Sequence, residues 1–412
     1  MSPNVAIRDI AGGVTAPKGF RAAGVSCGIK KRNPANPAPL DLALITTERA
    51  VSAAAVFTTN KAVAAPVIVS RDHLSQSSGH AAAIVVNAGC ANACTGAAGL
   101  EVAKQMAAAA ASAAGCDVDQ VLVASTGVIG VPLSIDKIRV GITAAAAALS
   151  ENGSDAAMRA IMTTDPFPKG KAVSVQTADG RSFAVGGIAK GSGMIEPRMA
   201  TMLGFLTTDA AVAPAVLQAA LSRVCDETFN AITVDGECST NDCVFLLASG
   251  ASGVAIDRDD DPALMEGLRA VAGHLAREIV RGGEGATKLV TVHVTGAATR
   301  GDAWLAARTI ANSPLVKTAL HGGDPNWGRL VAAAGRSGAA FSLDKASVAI
   351  GPVMMFVSGV PHDERADEAA EVMKAKEITI AVDLGAGGSH AAKMWTCDFS
   401  AEYVRINAEY RT

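Results

Sequence analysis

Residues 190–209 read KGSGMIEPRMATMLGFLTTD, and the rest of the chain is organised around this stretch. A polar turn at Glu196 is followed by the small pair Ala200-Thr201 and then by an apolar run over 202–206. The pattern predicts a loop that becomes a buried strand at Thr201. If the preceding peptide bond were cut, Thr201 would carry a hydroxyl and a free α-amino group, the nucleophile and base of N-terminal threonine catalysis. Most Ala-Thr pairs merely begin a strand, so the pair alone does not identify Thr201 as a nucleophile.

The composition points to a large globular protein with a small-molecule partner. The 412 residues favour two or three structural units or one large α/β body, and half of them are hydrophobic, which is ample for a buried core. The formal net charge is -3, which leaves no broad basic surface for a polyanion. Aromatic residues make up only 4%, which argues against stacking platforms for single-stranded nucleic acid. No nucleic-acid partner is therefore expected.

Targeting and metal-binding signals are weak. Residues 1–20 lack the apolar core and cleavage site of a secretory signal, and the longest apolar stretches, such as 106–116, are shorter than the roughly 20 residues that span a membrane. We therefore expect a cytoplasmic protein without membrane association. The eight cysteines form no CxxC pair, which favours buried thiols over a zinc site. No metal or cofactor is expected.

Short apolar segments alternate with longer runs of good helix formers, which predicts an α/β fold with helices layered on β-sheets. No low-complexity linker is present, so no hinge between separately folding halves is expected. The expected strands cover 20–29, 40–46, 53–58, 65–69, 81–86, 120–125, 172–176, 182–188, 202–207, 244–248, 288–294 and 378–384, with two more before residue 364. The expected helices cover 97–114, 136–149, 155–162, 214–229, 262–280, 303–311 and 364–376, with another helical stretch near Arg329.

Common nucleotide and hydrolase motifs are missing from the sequence. The segment GGEGATK at 282–288 lacks the Gly-Lys-Ser/Thr order of a P-loop, and no HExxH or GxSxG occurs. A Ser-His-Asp triad assembled by the fold stays open. Thr126-Gly127 follow a predicted strand and precede a predicted helix, and backbone N–H groups at such a turn can bind an oxyanion.

Seven segments together carry a stronger signal than any single polar loop. They are KGSGMIEPRMATMLGFLTTDA at 190–210, STG at 125–127, MTTD at 162–165, DGECSTND at 235–242, GGEGATK at 282–288, DPNWGR at 324–329 and the carboxyl-terminal NAEYRT at 407–412. With these motifs, over nearly its full length, the chain resembles the ornithine acetyltransferase family of arginine biosynthesis, also called the glutamate N-acetyltransferase family.

The resemblance implies a precursor that cuts itself between Ala200 and Thr201. The products are an α chain of residues 1–200 and a β chain of residues 201–412, which has 412 - 200 = 212 residues. Both chains are expected to stay in one intertwined body and to assemble as α2β2. The implied fold is an α/β arrangement of helices on mixed β-sheets, of the N-terminal-nucleophile type shared with related aminopeptidases.

The resemblance also implies the reaction and its residues. Acetyl passes from N2-acetyl-L-ornithine to Thr201 and then to L-glutamate, without a cofactor. Thr126 and Gly127 are implied to form the oxyanion hole, with Lys190 suited to a substrate carboxylate and Glu284 to the ornithine ammonium. The implied substrate contacts are Thr164, Lys190, Thr201, Glu284, Asn407 and Thr412. Whether acetyl-CoA is a second acetyl donor stays open.

Two other functions stay open at this point. Water in place of glutamate would make the protein an N-terminal-nucleophile aminopeptidase or amidohydrolase. An uncut chain would be an inactive small-molecule binding protein. Product analysis with and without glutamate, and the intact mass, separate these alternatives from the transferase.

Overall fold

The computed structural model describes residues 5–31, 36–196 and 202–409. It divides the chain into two compact units. The first unit contains the residues up to Asn230 together with Glu237–Ile279, and the second contains Ala231–Gly236 and Val280–Arg411. The expected cut between Ala200 and Thr201 does not coincide with this division, because the strands that flank it both belong to the first unit.

The described residues form helices and strands in alternation, as expected for an α/β fold. The helices are α1 Ala65–Gln76, α2 Gly96–Ala114, α3 Ile135–Ala147, α4 Ser154–Ala160, α5 Pro214–Glu227, α6 Pro262–Arg281, α7 Arg300–Ala311, α8 Pro314–Gly322, α9 Trp327–Gly335, α10 Ala366–Val372 and α11 Ala401–Glu409. The strands are β1 Ala6–Asp9, β2 Arg21–Val25, β3 Leu42–Phe57, β4 His80–Cys90, β5 Val121–Val128, β6 Lys169–Gln176, β7 Ser182–Lys190, β8 Leu203–Thr208, β9 Ala211–Val212, β10 Cys243–Ala248, β11 Ala255–Ile256, β12 Leu289–Ala297, β13 Ser347–Ile350, β14 Val353–Val357, β15 Val360–Pro361, β16 Glu377–Asp383 and β17 His390–Cys397.

A nine-stranded sheet forms the centre of the first unit. Its order is β1-β6-β7-β8-β10-β3-β4-β5, with β2 paired to β3. Most neighbours are antiparallel, but β8 is parallel to β10 and β4 is parallel to β5. The prediction of a mixed sheet is therefore confirmed.

Strand β8 lies in the middle of this sheet, and all six of its residues are buried. On one side it pairs with β7, from before the expected cut, and on the other with β10, from after it. Strand β10 in turn pairs with β3, which belongs to the N-terminal half of the sequence. Two adjacent strands from after residue 200 therefore lie between strands from before it, within one hydrogen-bonded sheet.

The two faces of the sheet carry separate cores because strand side chains alternate in direction. On one face Leu42 and Leu44 pack with Met106 of α2 and Ile138 of α3. The other face of β3 contributes Ala43 and Ile45 to a cluster with Phe205 and Phe245. Helix α2 buries mainly alanines, which allow the helix to lie close to its neighbours.

The second unit has its own six-stranded sheet, in the order β15-β14-β13-β16-β12-β17. Its core joins Val290 and Val292 of β12 and Ile380 of β16 to Ile310 of α7 and Leu330 of α9. Each unit therefore buries a sheet against helices, which is the layered arrangement expected from the sequence.

Some predicted elements were wrong. Residues 65–69 were expected as a strand but begin α1, where Pro66 occupies the first turn, and Val67 and Val69 are buried while Ile68 is exposed. Their β-branched side chains favour a strand locally, and packing overrides that preference. The strands expected at 40–46 and 53–58 are one strand, β3, whose pairing with β4 shifts register between Thr46 and Val51. Helices α8 and α11 and strand β17 were not predicted.

We predict that Phe205→Ala destabilises the first unit by about 3–5 kcal/mol, because the side chain is fully buried and its ring centre lies 5.7 Å from that of Phe245. The free energy of unfolding in urea measures the effect. Leu305→Ala is the control: this side chain is 44% exposed, so its loss is expected to change stability by no more than about 0.5 kcal/mol. Equal losses in both variants would contradict the assignment of Phe205 to the core.

Candidate active site

Thr126 and Gly127 lie near the end of β5, beside Ala88 and Gly89 of β4. The strand continues through them to Val128 and α3 begins at Ile135, so Thr126 and Gly127 lie within β5 and not in the turn expected between strand and helix. Gly127 has φ +126, and a Cβ there would come within 2.3 Å of the Gly89 carbonyl carbon. Only glycine fits this close approach of two strands.

Lys190 ends β7 and reaches Thr126. The side chain is buried, and its Nζ donates to Thr126 Oγ1 at 2.9 Å. A hydroxyl that accepts from a cation still has its own hydrogen to donate. The Thr126 hydroxyl can therefore donate its own hydrogen to an oxygen of another group, and the neighbouring positive charge makes it a better donor.

A buried ion pair holds the backbone that follows Lys190. Asp165 Oδ1 accepts from Lys169 Nζ at 2.6 Å and from the Gly191 N–H at 2.8 Å, and both side chains of the pair are fully buried. Burial alone would raise the pKa of Asp165, but the charges of Lys169 and Lys190 and the Gly191 N–H hold it lower, at about 2. Asp165 is therefore a carboxylate at neutral pH.

Thr164 lies beside the same loop. Its Oγ1 is 2.6 Å from Ser192 Oγ, two residues beyond Lys190. Through the Thr164–Ser192 contact and the Asp165–Gly191 bond, the MTTD segment is joined to the end of β7. Four of the sequence-predicted site residues are thus brought into one connected group: Thr126, Gly127, Thr164 and Lys190.

Lys30 adds a further cation near this group. Its Nζ donates to the Leu40 carbonyl at 2.5 Å. Burial lowers the pKa of Lys30 to about 8, against the raising effect of Asp41 and Asp165, and Lys190 lowers it further. Lys30, Lys169 and Lys190 thus bring three cationic side chains to this region, together with the carboxyls of Asp41 and Asp165.

The start of β10 is fastened to the strand that carries Thr126. Asn241 Nδ2 donates to the carbonyl of Ser125 at 2.9 Å and to that of Ala91 at 2.6 Å. The next residue, Asp242, is only 3% exposed. The DGECSTND segment therefore lies at the same end of the sheet as Thr126.

In the second unit, Glu284 and Asn407 are brought together. Asn407 Nδ2, on α11, donates to Glu284 Oε2 at 2.9 Å, and Glu284 is 7% exposed. The following loop is held by hydrogen bonds from Ser400 Oγ to the Gly285 carbonyl at 2.6 Å and from the Thr287 N–H to Asp398 Oδ1 at 2.7 Å. The GGEGATK segment is thus fixed by the C-terminal part of the chain.

Ala200, Thr201 and Thr412 lie outside the described residues. Within the described ranges, no group of three or more His, Cys, Asp or Glu side chains is arranged to hold a metal ion. No helix in the described part of the chain is long and apolar enough to cross a membrane.

Sequence reasoning missed the residues that support the site. Asp165 belongs to the quoted MTTD segment and Asn241 to DGECSTND, but neither was assigned a role. Both are polar residues next to strands, which was the only available signal. The Asn241 bond to Ser125 spans 116 positions, and nothing in the local pattern indicates it.

Comparison with known proteins gives consistent matches. The ArgJ family profile matches residues 21–412. The arginine biosynthesis bifunctional protein ArgJ of Symbiobacterium thermophilum is 48% identical, over 98% of this chain and 99% of that protein. The protein of the same name from Thermosynechococcus vestitus is 47% identical, again over 98% and 99%. The crystal structure of the arginine biosynthesis bifunctional protein argJ from Bacillus halodurans is 43% identical, with a TM-score of 0.49, and covers 51% of this chain and 100% of that chain.

The profile match extends from residue 21 to the last residue, and the two relatives align with the chain over almost their entire length. The chain belongs to the ArgJ family.

Proposed function

We propose that this protein transfers acetyl from N2-acetyl-L-ornithine to L-glutamate through an acetyl-Thr201 intermediate. Family membership supports the proposal, because the relatives are named arginine biosynthesis bifunctional proteins. The observation that carries it is the contact of Lys190 Nζ with Thr126 Oγ1, which prepares the Thr126 hydroxyl to donate to a developing negative charge. Both residues are among those that the family resemblance marks.

The nucleophile arises by self-cleavage between Ala200 and Thr201. The resulting chains, 1–200 and 201–412, remain together because β8 and β10 of the second are inserted between β7 and β3 of the first. The family resemblance further supports an α2β2 assembly, which the mass of the native particle in solution tests.

Acetylation of Thr201 uses its own amino group as the base. An α-amino group has a reference pKa of about 8, so a useful fraction is neutral near pH 7 and can take the hydroxyl proton. The Oγ attacks the acetyl carbonyl, and the tetrahedral oxygen is stabilised by the Thr126 hydroxyl and the Gly127 N–H. Each such donor contributes roughly 3–4 kcal/mol in the transition state. Ornithine then leaves, and the glutamate amine attacks the acetyl ester.

Amino-acid recognition depends on charge. Lys190, with Lys30 nearby, provides positive charge for a substrate carboxylate. Glu284 provides the carboxylate that pairs with the ornithine side-chain ammonium, and the hydrogen bond that it accepts from Asn407 fixes this carboxylate. Thr164 and Thr412 complete the contacts that the family resemblance assigns.

Thr201→Ala is expected to give one uncut chain of 412 residues without transferase activity, because it lacks both the hydroxyl and the route to a free amino group. Intact mass and a denaturing gel measure the cut. Thr201→Ser keeps a hydroxyl and is expected to give two chains. Two chains or normal turnover in Thr201→Ala would refute the mechanism.

Thr126→Val removes the hydroxyl while keeping the branched shape. We expect kcat per cleaved enzyme to fall about 100- to 1,000-fold with little change in KM for acetylornithine, since the donor acts mainly in the transition state. Thr207→Val is the matched control. Thr207 is fully buried in the same sheet, and among the described residues its hydroxyl donates to main-chain carbonyls, that of Val14 at 2.8 Å and that of Gly186 at 3.5 Å. A similar loss of kcat in both variants would contradict the assignment.

Product analysis tests the acceptor and the donors. With acetylornithine alone, ornithine release is expected to stop after about one equivalent per site, because the acetyl-enzyme waits for glutamate. Continuous release without glutamate would instead identify a hydrolase. With glutamate present, N-acetylglutamate is expected from acetylornithine and also from acetyl-CoA, the second donor that we propose. Failure of acetyl-CoA alone would restrict the protein to acetyl recycling.

A further inference from the structure

Thr126 and Gly127 lie where the pairing of β4 with β5 is irregular. Cys90 lies opposite both Thr126 and Val128, so the register of the two strands shifts across Gly127. Such an irregularity locally disrupts the main-chain hydrogen bonds that would otherwise fix a strand. Contacts from outside the strand pair are therefore needed to hold the main chain in this short stretch.

The side-chain amide of Asn241 supplies two such contacts. Its Nδ2 donates to the carbonyl of Ser125 at 2.9 Å and to that of Ala91 at 2.6 Å. Its Oδ1 accepts from Thr240 Oγ1 at 2.6 Å, and Asn241 is only 5% exposed. An amide nitrogen has two hydrogens and a carbonyl can only accept, so these partners fix a single orientation of the amide.

The two carbonyls that Asn241 holds lie on either side of residues 126–127. The Ser125 carbonyl shares a planar peptide unit with the next N–H, so the bond from Asn241 fixes the plane that precedes these residues. The Ala91 N–H donates to the Val128 carbonyl at 2.9 Å, so holding Ala91 also holds the main chain that follows them. Asn241 therefore fixes residues 126–127 from both ends.

Ser125 is held a second time through its own side chain. Its Oγ donates to Asn87 Oδ1 at 2.6 Å, and Asn87 Nδ2 donates to the Cys90 carbonyl at 2.8 Å. Asn87 lies on β4, so this bond joins two strands that are already neighbours. Asn241 comes instead from the loop before β10, which does not pair with β5. Its amide links β5 to a part of the sheet that the strand ladder does not connect to it directly.

The strand that follows Asn241 also pairs with β8. Cys243, two residues later, lies opposite Leu203 in the parallel register of β10 and β8. In the proposed cleaved form, Asn241 belongs with β8 to the chain 201–412, whereas β5 belongs to the chain 1–200. The amide of one chain would thus hold the main chain of the other beside its oxyanion-binding residues.

We propose that Asn241 is a positioning residue that holds Thr126 and Gly127 in the arrangement that stabilises the tetrahedral oxygen during acetyl transfer. The role rests on the oxyanion hole of the proposed function and adds the residue that keeps this hole in shape. Donors to a developing charge must be fixed in advance, since a displacement of about 1 Å can lower the rate roughly 100-fold. Asn241 acts on them through the main chain of Ser125 and Ala91.

Asn241→Asp tests this role, because it keeps the size of the side chain and replaces the donor by a carboxylate that cannot donate. We expect kcat per cleaved enzyme to fall about 10- to 100-fold with little change in KM for acetylornithine. Gln218→Glu is the matched control: the same amide is lost, and Gln218 Nε2 donates to the carbonyl of Ala55 at 3.0 Å, on β3 of the same sheet. This control is expected to keep the wild-type kcat.

Coupling to Thr126 separates positioning from a general loss of structure. In a Thr126→Val background the hydroxyl that Asn241 positions is already missing. Asn241→Asp is therefore expected to lower kcat by a smaller factor there than in the wild type, because residues that act through one another are not additive. The same factor in both backgrounds would overturn the positioning role.

Asn241→Ala covers the case in which Asn241→Asp does not fold, as judged by circular dichroism. It removes both hydrogen bonds without adding a charge, and kcat is again expected to fall while KM changes little. Failure of both variants to fold, while Gln218→Glu folds, would make Asn241 a residue of the general framework and overturn the positioning role.

The remaining outcomes distinguish this role from the function on which it rests. A wild-type protein without transferase activity, or a Thr126→Val variant with normal kcat, would overturn the proposed function. An active wild type together with normal kcat in Asn241→Asp would overturn only the role of Asn241. A folded Asn241→Asp chain that stays uncut by intact mass would do the same, since Asn241 would then be required for the cut.

Discussion

Strand β8 depends on its two neighbours for every main-chain hydrogen bond it makes in the sheet, and the rest of the first unit depends on that pairing. The strand is fully buried, so an unpaired backbone there would be costly. Antiparallel pairing to β7 and parallel pairing to β10 meet this requirement and also place the end of β7 and the start of β10 on either side of Leu203. The sheet therefore fixes how these three strands lie beside one another before any side chain does.

Near the end of β7 and the start of β10, side chains of Asp165 and Asn241 hold main-chain groups in place. Asp165 fixes Gly191 through its N–H, and Asn241 fixes the carbonyl beside Thr126. Lys190 Nζ in turn donates to the Thr126 hydroxyl. A buried pair such as Asp165 and Lys169 contributes little net stability, and its value here is geometric.

The sequence predicted the layered α/β fold and most long helices because α2 and α6 carry clear helical patterns. It failed at residues 65–69, where a β-branched run is helical, and at β3, where one strand looked like two. The physical pattern alone offered Thr126-Gly127 only as a turn, and the pairing of Lys190 with Thr126 came from neither spacing nor composition. Contacts such as Asn241 with Ser125 join distant positions, so no local signal could reveal them.

The position of β8 and β10 between β7 and β3 in the central sheet affects how the protein can refold after it has unfolded. In an uncut chain, the covalent link between β7 and β8 keeps the two strands at a high effective concentration, so inserting β8 is a unimolecular event. In the cleaved form that we propose, the same pairing would join separate polypeptides, and its recovery from denaturant would become a bimolecular encounter that dilution slows. Such a cut would leave an assembled sheet intact and make its disassembly at low concentration hard to reverse.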